Sequence, residues 1–290
     1  MSTQHNIIIT TCIDWLRFTF SRDFDPKLLF REFPSLQLTG DILDFGYHGY
    51  NRSMPFTGGG NLMWHSEKRE MKYEIDLPGQ ACAEIRRDGF EVEEIMTRLL
   101  MARVPDLTYK RIDYARDLHN SWSETKDLWD AYEAGNVKTT ARKARYIRSY
   151  ESEYAGDTIE FGTRQSSPRF LRIYNKAVQL GTLWESLIRT EVEMKKVRVN
   201  GFAASVIKHG RDKAGLREIT EAVQTDVPWF QEVLKGETAP HMDVPRPESK
   251  PNSFTVKTII PFIKNHSEEL SEATKRKLLE AIRDYITLPG

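Results

Sequence analysis

Apolar and polar residues alternate along most of this chain up to about residue 200, where the spacing turns helical. Ile7 to Phe20, rich in Ile, Thr, Trp and Phe, predicts a long strand. Asp25 to Phe33 predicts a short helix closed by Pro34, and 44–50, 60–65 and 71–77 predict further strands. Helical spacing appears at 79–87 and 91–103, the latter with Ile95, Leu99 and Leu100 on one side, before Pro105. A second block then follows the same order. The pattern predicts a strand at 109–118, a helix at 123–133 and strands at 144–150, 158–162 and 170–176. A helix or turn at 177–184 and a strand at 188–195 complete that block. Beyond it, 202–208, 211–223, 229–234, 254–264 and 271–285 read as helices. Pro240, Pro245, Pro247 and Pro251 mark 236–253 as a linker.

The two blocks open alike, Cys12-Ile13-Asp14-Trp15-Leu16 against Arg111-Ile112-Asp113-Tyr114-Ala115, and each continues into a helix and several strands. This predicts an α+β fold of two similar, mainly antiparallel sheet units lying side by side with helices packed on them, followed by a helical C-terminal region. The expected boundaries are 1–104, 105–200 and 201–290.

Composition narrows the picture. With 39% hydrophobic and 29% charged residues the chain can build a core and remain soluble. No apolar run is long enough to span a membrane, and residues 1–6 do not resemble a signal peptide, so a cytoplasmic location is expected. Cys12 and Cys82 are too few and too far apart for a disulfide framework or a close-spaced metal motif. The seven histidines are isolated, with no His-x-His, and Gly58-Gly59-Gly60 lacks the Lys-Ser or Lys-Thr of a nucleotide-binding loop. A net charge of zero speaks against a large non-specific nucleic-acid binder. Charge is uneven, however: Lys138, Arg142, Lys143, Arg145 and Arg148 form a basic run, and Lys195, Lys196 and Arg198 another. Such runs bind phosphate, or are solvated faces.

Arg172, Tyr174 and Lys176 fall two apart in a strand-like run, so they share a face. A tyrosine between two cations is an ordinary amphipathic strand, or a nucleophile whose developing charge is stabilised at a phosphate. Acids stand on neighbouring predicted strands. Glu191 and Glu193 share a face about 7 Å apart, and Asp113 and Asp117 share one about 13 Å apart. Glu160 precedes the tyrosine strand. Carboxylates from adjacent strands suit Mg²⁺ or Mn²⁺, and they also suit salt bridges to the many arginines.

The order of these motifs resembles the replication initiation proteins of small rolling-circle plasmids, the Rep_trans type. Cys12 to Phe18, Tyr73 to Cys82 with its Gly79-Gln80 turn, and Arg111 to Asp117 look like the family's first three motifs. Gly156 to Gly162 with Arg172-Ile173-Tyr174-Asn175-Lys176, then Arg189 to Glu193, look like the rest. The resemblance spans about residues 7–195. It implies a nicking-closing enzyme in which Tyr174 attacks a phosphodiester of origin DNA, double-stranded or extruded as single strands. A 5′-phosphotyrosyl bond and a free 3′-OH would result, with Arg172 and Lys176 assisting. With no histidine pair, it implies Mg²⁺ or Mn²⁺ on Asp113, Glu191 and Glu193, with Asp117 and Glu160 as further candidates. Arg142, Lys143, Arg145, Arg148, Lys195 and Lys196 are the expected DNA contacts. A host helicase and a second copy of the chain are the expected partners. A relaxase, a phage-type replication protein, or a non-catalytic DNA-binding protein of the same fold are the alternatives.

Overall fold

The structure, a computed structural model, describes residues 7–119, 124–148, 156–182 and 186–241. The first half comprises β1 (Ile8–Phe20), α1 (Lys27–Phe30), β2 (Arg52–Pro55), β3 (Asn61–Trp64), β4 (Tyr73–Leu77), α2 (Gly79–Arg87) and α3 (Val92–Met101). The second opens with β5 (Thr108–His119), α4 (Thr125–Glu133), β6 (Val137–Thr139), β7 (Ala144–Ile147) and β8 (Thr158–Phe161). It continues with β9 (Arg169–Asn175), α5 (Lys176–Leu180), β10 (Leu187–Lys195), α6 (Val199–His209), α7 (Arg211–Ala222), β11 (Val223–Thr225) and α8 (Pro228–Val233).

Nine strands form one antiparallel sheet in the order β2-β3-β4-β1-β5-β10-β9-β8-β7, and β6 and β11 pair separately. Each half winds the same way. Its first strand lies at the centre, its last strand beside that one, and the intervening strands further out. The two similar units expected side by side are therefore halves of one continuous sheet. β1 and β5 pair from Ile8↔His119 to Thr19↔Thr108; β5 is covered on its other edge by β10, while β4 covers β1 only at Leu16–Phe20. A β-bulge between Ile13 and Trp15 interrupts that pairing.

Ile13, Leu16, Phe18, Ile112, Tyr114, Val192, Met194, Leu171, Ile173, Ile159 and Phe161 are buried in the core, against which the helices pack. The approach of α7 is close: a Cβ at Gly215 would lie 2.3 Å from the Tyr114 ring. α3 begins at a capping box made by Glu91 and Glu94, and α5 begins on the Asn175 side chain and stops at Gly181 in the left-handed region.

Most expected elements are present, with several corrections. Residues 44–50 alternate like a strand but form a turning loop, because His48 and Gly49 both take positive φ. β2, β6 and β11 were not foreseen; each is only three or four residues long. The helices expected at 254–264 and 271–285, and most of the 236–253 linker, lie outside the described residues.

Candidate active site

Strand register sets the site. Across β7, β8, β9 and β10 the residues Arg145, Glu160, Arg172 and Glu191 are successive cross-strand partners, so charge alternates along one row. The adjacent row holds Thr158, Tyr174, Arg189, Asp117 and Thr10 on β8, β9, β10, β5 and β1. The row on the other side pairs Glu193 with Phe170 and with Asp113, itself opposite Trp15. A sheet face with alternating sign is satisfied internally, which lets carboxylates and guanidinium groups be buried there.

Tyr174 lies at the centre. Its hydroxyl donates to Glu191 Oε2 at 3.2 Å, and the same carboxylate receives Arg172 Nη2 at 2.8 and 2.9 Å. The Arg172 guanidinium lies 5.0 Å and the Lys176 ammonium 5.9 Å from the tyrosine ring centre. The expected grouping of Arg172, Tyr174 and Lys176 is thus present, with one correction. β9 ends at Asn175, whose side chain accepts from Val178 N at 3.2 Å, so Lys176 is the first residue of α5 and not a strand residue. Burial, then the Glu191 charge, pushes the Tyr174 phenol well above its ordinary value. Burial, then Arg189, lowers the Lys176 ammonium. Beside the tyrosine opens a cavity of about 400 Å³, lined by Thr158, Glu160, Arg172, Tyr174, Asn175 and Gln179 among others.

Every acid expected to bind metal already has a cationic partner. Arg111 holds Asp113 in a forked pair at 2.8 and 2.5 Å and reaches Glu193 at 3.0 Å. Arg164 and Lys195 also contact Glu193. Arg189 forks onto Asp117 at 2.7 Å on both sides, and Arg145 meets Glu160 at 2.5 Å. Burial raises the Asp113 carboxyl to about 7 despite Arg111, with Glu191 and Glu193 adding to the rise. Burial also opposes ionisation of Glu193, but Lys195, Arg111 and Arg164 outweigh it and hold Glu193 low. Asp113, Glu191 and Glu193 share one patch and are hard oxygen donors, so they fit a divalent cation in kind. Among the described residues, no three His, Cys, Asp or Glu side chains already stand together as a ligand cluster.

Two participants stood within the quoted motifs but were not among the expected site residues. Arg189 faces Tyr174 across the β9–β10 pair and bridges Asp117 to Asp14 at 2.9 Å. Asp14, at the β1 bulge, also meets Arg86. Asp14, the first Asp of the repeated motif, was visible, but its arginine partner lies 175 residues away. The expected DNA contacts divide. Arg145 is tied to Glu160, and Arg148 lies over the Tyr146 ring. Lys195 and Lys196 reach the carbonyls of Arg164 and Ser166, and Lys143 accepts from Gly162 N through its own carbonyl. These last three therefore surround the 162–169 loop, at the opposite end of β9 from Tyr174.

Residues 107–234 match the replication initiation factor family, Rep_trans. The fold is similar to that of the rolling circle replication initiator protein from Geobacillus stearothermophilus, with a TM-score of 0.65 at 20% identity. That match covers 81% of this chain and 100% of the other. A likeness to the TBP of Methanococcus jannaschii has a TM-score of only 0.27 at 9% identity, over 73% of this chain and 95% of that one, and carries no argument. No curated protein matches the chain by sequence. Among the described residues, no helix is long and apolar enough to cross a membrane.

Proposed function

We propose that this chain initiates rolling-circle replication by nicking one strand of origin DNA, with Tyr174 as the nucleophile. The match to the replication initiation factor family across 107–234 supports the class. The observation that carries the chemistry is the Tyr174 hydroxyl donating to the Glu191 carboxylate at 3.2 Å, beside an open cavity and between two cations.

A buried phenol with a raised pKa is a weak nucleophile unless its proton is removed as it attacks. Glu191 is positioned to take that proton. Tyr174 Oη forms a bond to phosphorus, and the bond from phosphorus to the 3′ oxygen breaks. That oxygen leaves as a 3′-OH after taking up a proton, which balances the one given to Glu191. A 5′-phosphotyrosyl link remains, and attack by a 3′-OH reverses the step and closes the strand. Arg172 is placed to stabilise the negative charge that develops on the phosphoryl oxygens, with Lys176 next to it. Asp113, Glu191 and Glu193 would hold Mg²⁺ or Mn²⁺, which when bound supplies Lewis-acid polarisation of the phosphoryl group. The reading entails origin DNA, double-stranded and extruded, as substrate, with a host helicase and a second copy of the chain as partners.

The test is incubation of supercoiled plasmid bearing the cognate origin with the protein and Mg²⁺ or Mn²⁺. Open-circular product carrying a covalent protein adduct is expected from the wild type and not from Tyr174→Phe. Equal nicking by the two proteins would remove Tyr174 from the mechanism.

A further inference from the structure

At the end of β9 away from Tyr174 lies a second, larger cavity of about 910 Å³. Four cations line it, Arg142, Lys143, Arg169 and Arg198, against one carboxylate, Glu221. Arg169 is tied to Glu218 and Glu221 at 3.1 Å, and Arg198 reaches the same two acids more loosely at 3.4 and 3.5 Å. Arg142 and Lys143 are exposed, and their side chains have no partner among the described residues. This contrasts with the Tyr174 face, where the cations of the row are committed to carboxylates. Cationic charge here is surplus.

The rest of the lining suits a particular kind of anion. Thr163 and Ser166 line the cavity, and the Ser167 hydroxyl, which accepts from Thr163 N at 2.9 Å, keeps its own hydrogen to donate. Phe161, Leu171, Pro168 and Ala222 supply an apolar side. A volume of this size exceeds what a small inorganic anion fills and falls in the range of organic ligand sites. Phosphate oxygens accept from guanidinium, ammonium and hydroxyl donors, while sugar and base edges fit apolar walls. The 162–169 loop that forms one wall is held in place: Gly162 N donates to the Lys143 carbonyl at 2.7 Å, and the Lys196 ammonium to the Ser166 carbonyl at 2.7 Å.

We infer that this cavity binds a phosphodiester-linked nucleotide of a nucleic-acid strand, with Arg142 and Lys143 on its phosphates. The inference rests on the nicking reading for the identity of that strand, the one cut at Tyr174. Arg169 and Tyr174 share β9, about 17 Å apart at roughly 3.3 Å per residue, but their odd spacing puts them on opposite faces of the sheet. A stacked strand rising about 3.4 Å per nucleotide would need about five nucleotides for that distance alone, and more to pass round the sheet. The site would thus hold the same strand on the other side of the sheet, more than about five nucleotides from the cut.

The experiment uses full-length Tyr174→Phe protein, so that binding is read without cutting. Affinity for a fluorescent single-stranded origin oligonucleotide is measured by anisotropy over a range of salt concentrations. Replacing both Arg142→Ala and Lys143→Ala is expected to lower the slope of log K against log salt by roughly 1.4, about 0.7 for each of two phosphates. Arg142→Lys should keep the slope, and Arg31→Ala, an exposed cation outside the cavity, should leave it unchanged. An unaltered slope in the double variant overturns the inference, as does a nucleoside monophosphate that binds the cavity without being displaced by the oligonucleotide. Because the tyrosine is absent throughout, failure here is distinct from failure of Tyr174→Phe to abolish nicking.

Discussion

The Tyr174 hydroxyl meets Glu191 Oε2 diagonally across the β9–β10 pair, since the direct cross-strand partners are Tyr174 with Arg189 and Glu191 with Arg172. A diagonal contact leaves each residue a second partner. Glu191 is held by Arg172 while it faces the phenol, and the Tyr174 backbone is fixed opposite a buried arginine. Glu191→Gln keeps the size and one oxygen for Arg172, but loses the charge and can neither take a proton nor hold a cation as a carboxylate would. Single-turnover nicking at saturating DNA is expected to slow by about 10²- to 10⁴-fold, the usual contribution of a general base. Oligonucleotide affinity should change little. Equal losses of rate and affinity would assign Glu191 to DNA contact instead.

Arg189 bridges Asp117 and Asp14 from inside the sheet. Removing it leaves Asp117 without its cation and Asp14 with Arg86 alone. Arg189→Ala is expected to lower stability by about 3–5 kcal/mol, as for other broken buried pairs. Urea denaturation with an unchanged m-value would measure it. A loss below about 1 kcal/mol would show that water reaches both acids.

The contact between α7 and β5 has no spare room. Gly215→Ala places a methyl group 2.3 Å from the Tyr114 ring, and a cost of about 1–3 kcal/mol is expected from overpacking. Tyr114→Leu in the same protein should recover part of that loss. No recovery would mean that the helix backbone, and not the ring, resists the change.

On β4, Glu74 is buried and receives His48 Nδ1 at 2.6 Å. Burial raises its pKa, although Arg17 and His48 pull the other way. The folded protein therefore binds this proton more tightly than the unfolded chain. Its favourable contribution is complete below about pH 4, the ordinary carboxylate value, and disappears as pH rises through the raised folded value. Thermal melts should show Glu74→Gln gaining on the wild type between pH 4 and pH 7. A difference that does not vary with pH would show that the two states titrate alike at this position.

Period-two spacing made Arg172, Tyr174, Glu191 and Glu193 legible, because a strand places alternate residues on one face whatever its neighbours are. Strand order was less accessible. The repeated Asp14 and Asp113 motifs pointed to two alike halves, but only long-range pairing decides whether halves share a sheet, and β1 with β5 makes one. Lys176 was misplaced by a single residue because the Asn175 cap, a local hydrogen bond, overrides the alternation. Arg189, quoted only as the start of a motif, was given no role for a related reason. Its meaning lies in two acids far away in the chain, one of them carried at a bulge that no periodicity announces.

β9 is paired along both edges, with β8 from Thr158↔Tyr174 and with β10 from Ile188↔Asn175. Its tyrosine is therefore a fixed post, unable to swing toward a target as a loop residue would. If DNA becomes joined to that post, every movement needed to unwind, extend or reseal the strand falls to the nucleic acid. The protein then acts as a stationary anchor around which the circle turns.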